Sequence, residues 1–167
     1  MIKKFLLIAL VAIPAVTFAQ EAQKIAYINY YDVIGAMPEA KQMQDSLQKK
    51  ANEFQAELKV LSDEYTNKMS DYVAKQDSLN ESIKQRRLKE LDDLRTRAAN
   101  FQETAGQQQE ELQQKLLQPI QEKLQKAIND VGKENNFLYI VNSQVFLYVA
   151  PTATDATPLV KKKLGIQ

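Results

Sequence analysis

The sequence predicts an α+β fold: a small β-sheet body assembled between subunits, from which a long antiparallel helical hairpin arm extends. Three observations carry this. Segments rich in Tyr, Ile and Val stand near the two ends of the chain. Between them, residues 38–118 are dominated by Gln, Glu, Lys, Asp and Ala, with apolar residues every three or four positions. Prolines mark both margins of that stretch, Pro38 and Pro119.

In chain order, "MIKKFLLIALVAIPAVTFAQ" has two lysines, an apolar run and small residues ending at Ala19. This is the pattern of a cleaved secretory signal peptide, residues 1–19. A retained anchor is the alternative, but the run is short for a membrane span and Pro14 interrupts it. Cleavage after Ala19 removes two of 22 basic residues and none of 21 acidic ones, so the exported chain is close to neutral. Neutrality argues against a nucleic-acid partner, which requires a strongly basic face.

"KIAYINYYDVI" predicts a strand from Lys24 to Tyr31, apolar on both faces. The next segment carries a stripe through Met43, Leu47, Ala51, Phe54, Leu58, Leu61, Tyr65, Met69 and Tyr72. Its mean spacing of about 3.6 is that of an amphipathic helix with a narrow seam. A second stripe runs through Leu88, Leu91, Leu94, Ala98, Phe101, Ala105, Gln108, Leu112 and Leu116, with a thin middle.

Between the stripes, Ser78 and Glu81 have the spacing of a capping box, and Asp77 is a competing cap. A turn near residues 76–80 and two antiparallel legs follow; one uninterrupted helix is the alternative, because Gly and Pro are absent there. The legs 38–77 and 78–118 match in length, roughly 60 Å each at 1.5 Å per residue. Pro119 therefore returns level with Pro38 and is read as the hinge where the helix bends into the body. Pro38 suits a helix start, and Gly132 a helix end.

"NNFLYIVNSQVFLYV" predicts a β-hairpin, 137–141 and 145–149 around Asn142-Ser143-Gln144. "TDATPLVKKKLGIQ" predicts a short last helix capped by Thr157 and ended by Gly165. The body thus comprises 20–37 and 119–167, and the arm comprises 38–118. So small a body lacks disulfides, since the chain has no cysteine, yet carries many apolar residues. Homo-oligomerisation through Ile25, Tyr27, Ile28, Tyr30, Phe137, Tyr139, Val145 and Leu147 is the physical expectation.

Catalytic chemistry is poorly supplied. His and Cys are absent and there are four glycines, so the usual general base, thiol nucleophile, zinc ligands and phosphate-binding loops are missing. Asp92/Asp93 and Glu110/Glu111 are adjacent on helices and do not face each other. No enzyme, no metal site and no cofactor are expected. What remains is surface. Phe54, Tyr65, Met69, Tyr72 and Phe101 either zip the legs together or contact other chains, a role that suits adaptable Met and aromatic side chains.

The opening strand, the Pro-led helix "PEAKQMQDSLQKKANEFQAEL", the long hairpin and the ending "NNFLYIVNSQVFLYVAPTATDATPLVKKKLG" together resemble the Skp (OmpH-like) periplasmic chaperones. That resemblance implies a jellyfish-like homotrimer whose arms surround a cavity. It implies an ATP-independent periplasmic holdase for unfolded outer-membrane β-barrel proteins. Family members are often strongly basic, which this chain is not. Lys84, Arg86, Arg87 and Lys89 are the candidates for an anionic contact such as lipopolysaccharide or a membrane surface, an ordinary solvated face being the competing reading. A spacer or adaptor docking one dedicated partner is the rival function.

Overall fold

The computed structural model describes residues 24–166; the expected signal peptide lies outside the described residues. Strand β1 (Ile25–Ile28) is followed by helix α1 (Tyr30–Ala36) and helix α2 (Pro38–Lys75). A 3-10 turn at Gln76–Ser78 leads into helix α3 (Glu81–Glu134), and the chain ends with β2 (Tyr139–Asn142), β3 (Thr154–Asp155) and α4 (Thr157–Leu164).

The first strand is shorter than expected. Asn29 ends it by capping α1, its side chain accepting from the Asp32 N–H at 3.1 Å. Tyr30 and Tyr31 therefore belong to a helix, because a good Asn cap outweighs the strand preference of two tyrosines. The same substitution of cap occurs at the tip. Asn80, not Ser78 or Asp77, caps α3 by accepting from the Ile83 N–H at 3.0 Å. The Ser78 hydroxyl instead donates to the Lys75 carbonyl at 2.8 Å, which helps close the end of α2.

Helix α3 runs for 54 residues with Pro119 inside it. A proline lacks the N–H that would bond the carbonyl four residues earlier, yet the helix does not end there, and one element spans arm and body. Nor does it stop at Gly132. The end is made by Asn135, whose N–H and side-chain amide both reach the Val131 carbonyl, and by Asn136 at φ 55°. Asn tolerates the left-handed conformation that commonly closes a helix.

No hairpin forms between 137 and 149. β2 and β3 instead lie parallel to β1 on either side of it, in the order β2-β1-β3, with Ile25 opposite Tyr139 and Tyr27 opposite both Val141 and Asp155. Ser143–Val145 is a 3-10 turn, and Phe146–Val149 does not return along β2. Short hairpin connections, including three-residue ones such as Asn142-Ser143-Gln144, place a residue at positive φ. Among the described residues only Asn136 and Gly165 supply it, and neither is in this connection.

The core lies where the base of α3 crosses the sheet. Ala26 and Ile28 of β1 meet Val33, Met37, Ile120, Leu124, Ala127, Val131, Ala156 and Val160. α4 is docked differently from the expected cap. The Thr157 hydroxyl oxygen accepts from the Asn29 N–H at 2.9 Å, and Asp155 accepts from the Thr157 N–H at 2.8 Å. The residue expected to cap its own helix therefore ties that helix to the end of β1. Gly165, at φ 74°, closes α4.

Candidate interaction surfaces on the arm and the sheet

The arm is a two-helix seam of uneven quality. Leu61 on α2 and Leu91 and Leu94 on α3 are buried, as is Ala105 nearer the base. Phe54 and Phe101 meet edge to face across the seam at 5.9 Å, with the Lys50 ammonium 4.7 Å from the Phe54 ring centre. This is a favoured aromatic geometry, so these two candidates are half-buried against one another. Tyr72 is also half-buried.

Tyr65 and Met69 differ. They are 36 % and 39 % exposed, although they continue the same stripe. With Thr66, Ser70, Val73 and Ala74 they line a shallow groove of about 510 Å³ on α2. Val73 and Leu88 are further exposed apolar residues near the tip. Val73 sits one position off the stripe and so carries no periodic signal; Leu88, on the second stripe, lies outside the seam.

The basic candidates also separate. Arg87 pairs with Glu90 at 3.6 Å and approaches Asp71 at 4.0 Å across the legs, and Arg86 approaches Glu90 at 3.9 Å. These two guanidinium groups are therefore engaged within the arm. Lys84 is half-buried and Lys89 exposed. Asp71 is held below the usual carboxylate range, chiefly by its hydrogen bond with Lys75.

At the arm base, Lys123 of α3 bonds Glu39 in the first turn of α2. This bond, helped by a backbone hydrogen bond at Glu39, holds the carboxyl below its ordinary value. In the body, Lys161 pairs with Asp32 at 2.8 Å, and the hydrogen bond to Glu134 holds the Lys163 ammonium protonated to a higher pH than an ordinary lysine.

The sheet has one covered face. Ala26 and Ile28 point into the core, while Ile25 and Tyr139, which are register partners, are 53 % and 58 % exposed. Tyr27 and Val141, also partners, are half-buried. Beyond β2, Val145, Phe146, Leu147 and Tyr148 form a run of exposed apolar side chains. Of the eight residues expected to join subunits, Ile28 is instead enclosed by the chain's own core, and Tyr30 and Phe137 pack against that core. Ile25, Tyr139, Val145 and Leu147 are outward. Alternation along β1 sets Ile28 apart from Ile25 and Tyr27, since neighbouring residues of a strand face opposite ways, but does not say which side is covered.

The profile of the family described as outer membrane protein (OmpH-like) matches residues 24–164. The chain belongs to the OmpH-like family. A crystal structure from Caulobacter crescentus CB15, of a protein described as an outer membrane chaperone (OmpH-like), superposes with a TM-score of 0.75. It shares 16 % identity and covers 84 % of this chain and 82 % of its own. At that identity the likeness establishes the fold: a long helical hairpin on a small sheet. No sequence among the curated proteins matches the chain. Among the described residues of this OmpH-like chain, no helix is long and apolar enough to cross a membrane and no cluster of three acidic residues could hold a metal.

Proposed function

We propose that this OmpH-like protein is an ATP-independent holdase of the periplasm, exported by a cleaved signal peptide. It binds unfolded outer-membrane β-barrel proteins between its arms and keeps them from aggregating. The observation that carries the reading is the exposure of Tyr65, Met69 and Val73 on a long arm separate from the core. A thioether and a phenol ring give contact area without strict geometry, which suits a client with no fixed shape. The relative described as an outer membrane chaperone supports the same reading.

Assembly supplies the rest. The uncovered sheet face and the run Val145–Tyr148 are apolar surface that a second and third copy would bury, which supports a homotrimer with the arms side by side. Several weak contacts on one client then act together, since each bound segment raises the local concentration of the next. Pro119 is the pivot of each arm, lying just outside the core residues Ile120 and Leu124. Pro119→Ala restores a hydrogen bond there and is expected to change the trimer's small-angle scattering profile without changing its mass; an unchanged profile removes the pivot.

The deciding experiment mixes the chain from Gln20 onward, without nucleotide, with a urea-denatured outer-membrane β-barrel protein. After dilution of the urea, light scattering and complex mass are followed. Suppressed aggregation with about three chains per client supports the cage arrangement. A soluble, assembled protein that lets several such clients aggregate points instead to a spacer with one dedicated partner.

A further inference from the structure

The fully buried part of the arm's apolar seam ends before the tip, where Tyr72, Leu79 and Ile83 are only half-buried. Leu61, Leu91 and Leu94 are 4–6 % exposed. Further out, Tyr65, Met69 and Leu88 are 36 %, 39 % and 49 % exposed. The legs nevertheless stay together, and charged groups cross between them in this outer segment. Lys68 of α2 reaches Glu90 of α3 at 3.4 Å, and Arg87 of α3 approaches Asp71 of α2 at 4.0 Å.

These contacts form one network. Glu90 also takes Arg86 and Arg87 from its own helix, and Asp71 also takes Lys75. Four cations therefore gather around two carboxylates. Removing either carboxylate leaves an excess of like charge facing across the legs, so the network depends on its two acids more than on any one base. Lys68, Asp71, Arg87 and Glu90 are each 35–39 % exposed, open enough for salt to reach. Screening shortens from about 10 Å at 0.1 M salt to about 3 Å at 1 M.

The geometry points to an ionic latch. The outer part of the hairpin, beyond Leu61 and Leu91, is held closed by the Lys68–Glu90 and Asp71–Arg87 pairs and parts when they are screened or lost, while the inner seam stays shut. Parting frees the inner sides of Tyr65 and Met69 and widens the surface that the arm presents. The latch is a property of the arm itself, so it does not depend on the client reading, and its test uses no client.

The chain has no cysteine, so spin labels can be attached at introduced pairs. One pair, Ser70→Cys with Lys89→Cys, reports on the outer segment; another, Lys49→Cys with Gln108→Cys, reports on the inner seam. Distances are measured by pulsed electron resonance on the full mature protein. Raising salt from about 0.05 M to about 1 M should lengthen and broaden the outer distance and leave the inner one unchanged. Glu90→Gln should give the broad outer distribution already at low salt and abolish its salt response. Circular dichroism checks that helix content is kept; if it is not, the salt titration of the labelled parent decides. An outer distance indifferent to salt overturns the latch, as does equal widening of both pairs or a Glu90→Gln arm as tight as the parent's.

Discussion

The body and the outer arm hold helices together by different means. In the body, α3 presents Ile120, Leu124, Ala127 and Val131 to a sheet and two short helices, and every one of these side chains is buried. In the outer arm, the same helix has one neighbour, α2, and contact on one side only leaves Tyr65 and Met69 of α2 and Leu88 of α3 partly in water. A helix packed against several elements buries a broad stripe; a helix packed against one buries only a seam. Packing is therefore broad at the base of this 54-residue helix and narrow toward its tip.

Four measurements test the contrast between body and arm. Leu124→Ala should cost the most, about 2–5 kcal/mol, because it opens a cavity in a closed core; thermal denaturation of the body measures it. A loss well under 1 kcal/mol would place the body with the arm. Leu147→Asp should leave the protomer's helix content intact but lower the assembled mass in light scattering, since Leu147 is fully exposed within one chain. Unfolding of the variant would show that this segment serves the protomer itself.

Within the arm, Leu91→Ala should destabilise the hairpin by roughly 2 kcal/mol, and Leu88→Ala by a few tenths, in keeping with buried and exposed positions three residues apart. Equal losses in urea unfolding would erase the distinction between seam and tip. The smallest effect is a pH dependence. Glu39 is held below its ordinary value near 4.5 by Lys123, so its bond contributes fully above that pH and is lost as pH falls through the lower folded value. Glu39→Gln should lower stability slightly at neutral pH and match the parent at low pH, which flattens the acid limb of the stability profile at the arm base.

The long helices were legible because their signal is periodic and local. The stripe from Met43 to Tyr72 and that from Leu91 to Leu116 lie on α2 and α3. Chain reversal near Gln76–Asn80 follows from the polar break between them. Short elements were less legible, since their signals conflict: Tyr30 and Tyr31 read as strand but follow an effective Asn cap, and Phe146–Val149 reads as strand but lacks the turn that would fold it back. For the candidate surfaces, the residue types on the arm were visible, but not which of them face the other leg. Phe54 and Phe101 share the stripe with Tyr65 and Met69, yet only the first two meet.

By itself, then, the sequence determined a long polar hairpin with a narrow seam, an apolar body too small to be comfortable alone, and a lack of the side chains that common catalysis requires. Tertiary structure alone decided three things. It made the sheet parallel, with β1 between two strands from the far end of the chain; it sent Ile28 inward and Leu147 outward; and it ended the fully buried part of the seam at Leu61 and Leu91, leaving Tyr65, Met69 and Leu88 partly exposed. The physical reason is that helical periodicity is written within a few turns of chain. Strand partnership and the depth of a side chain depend instead on segments more than a hundred residues away, such as Thr157 closing on Asn29.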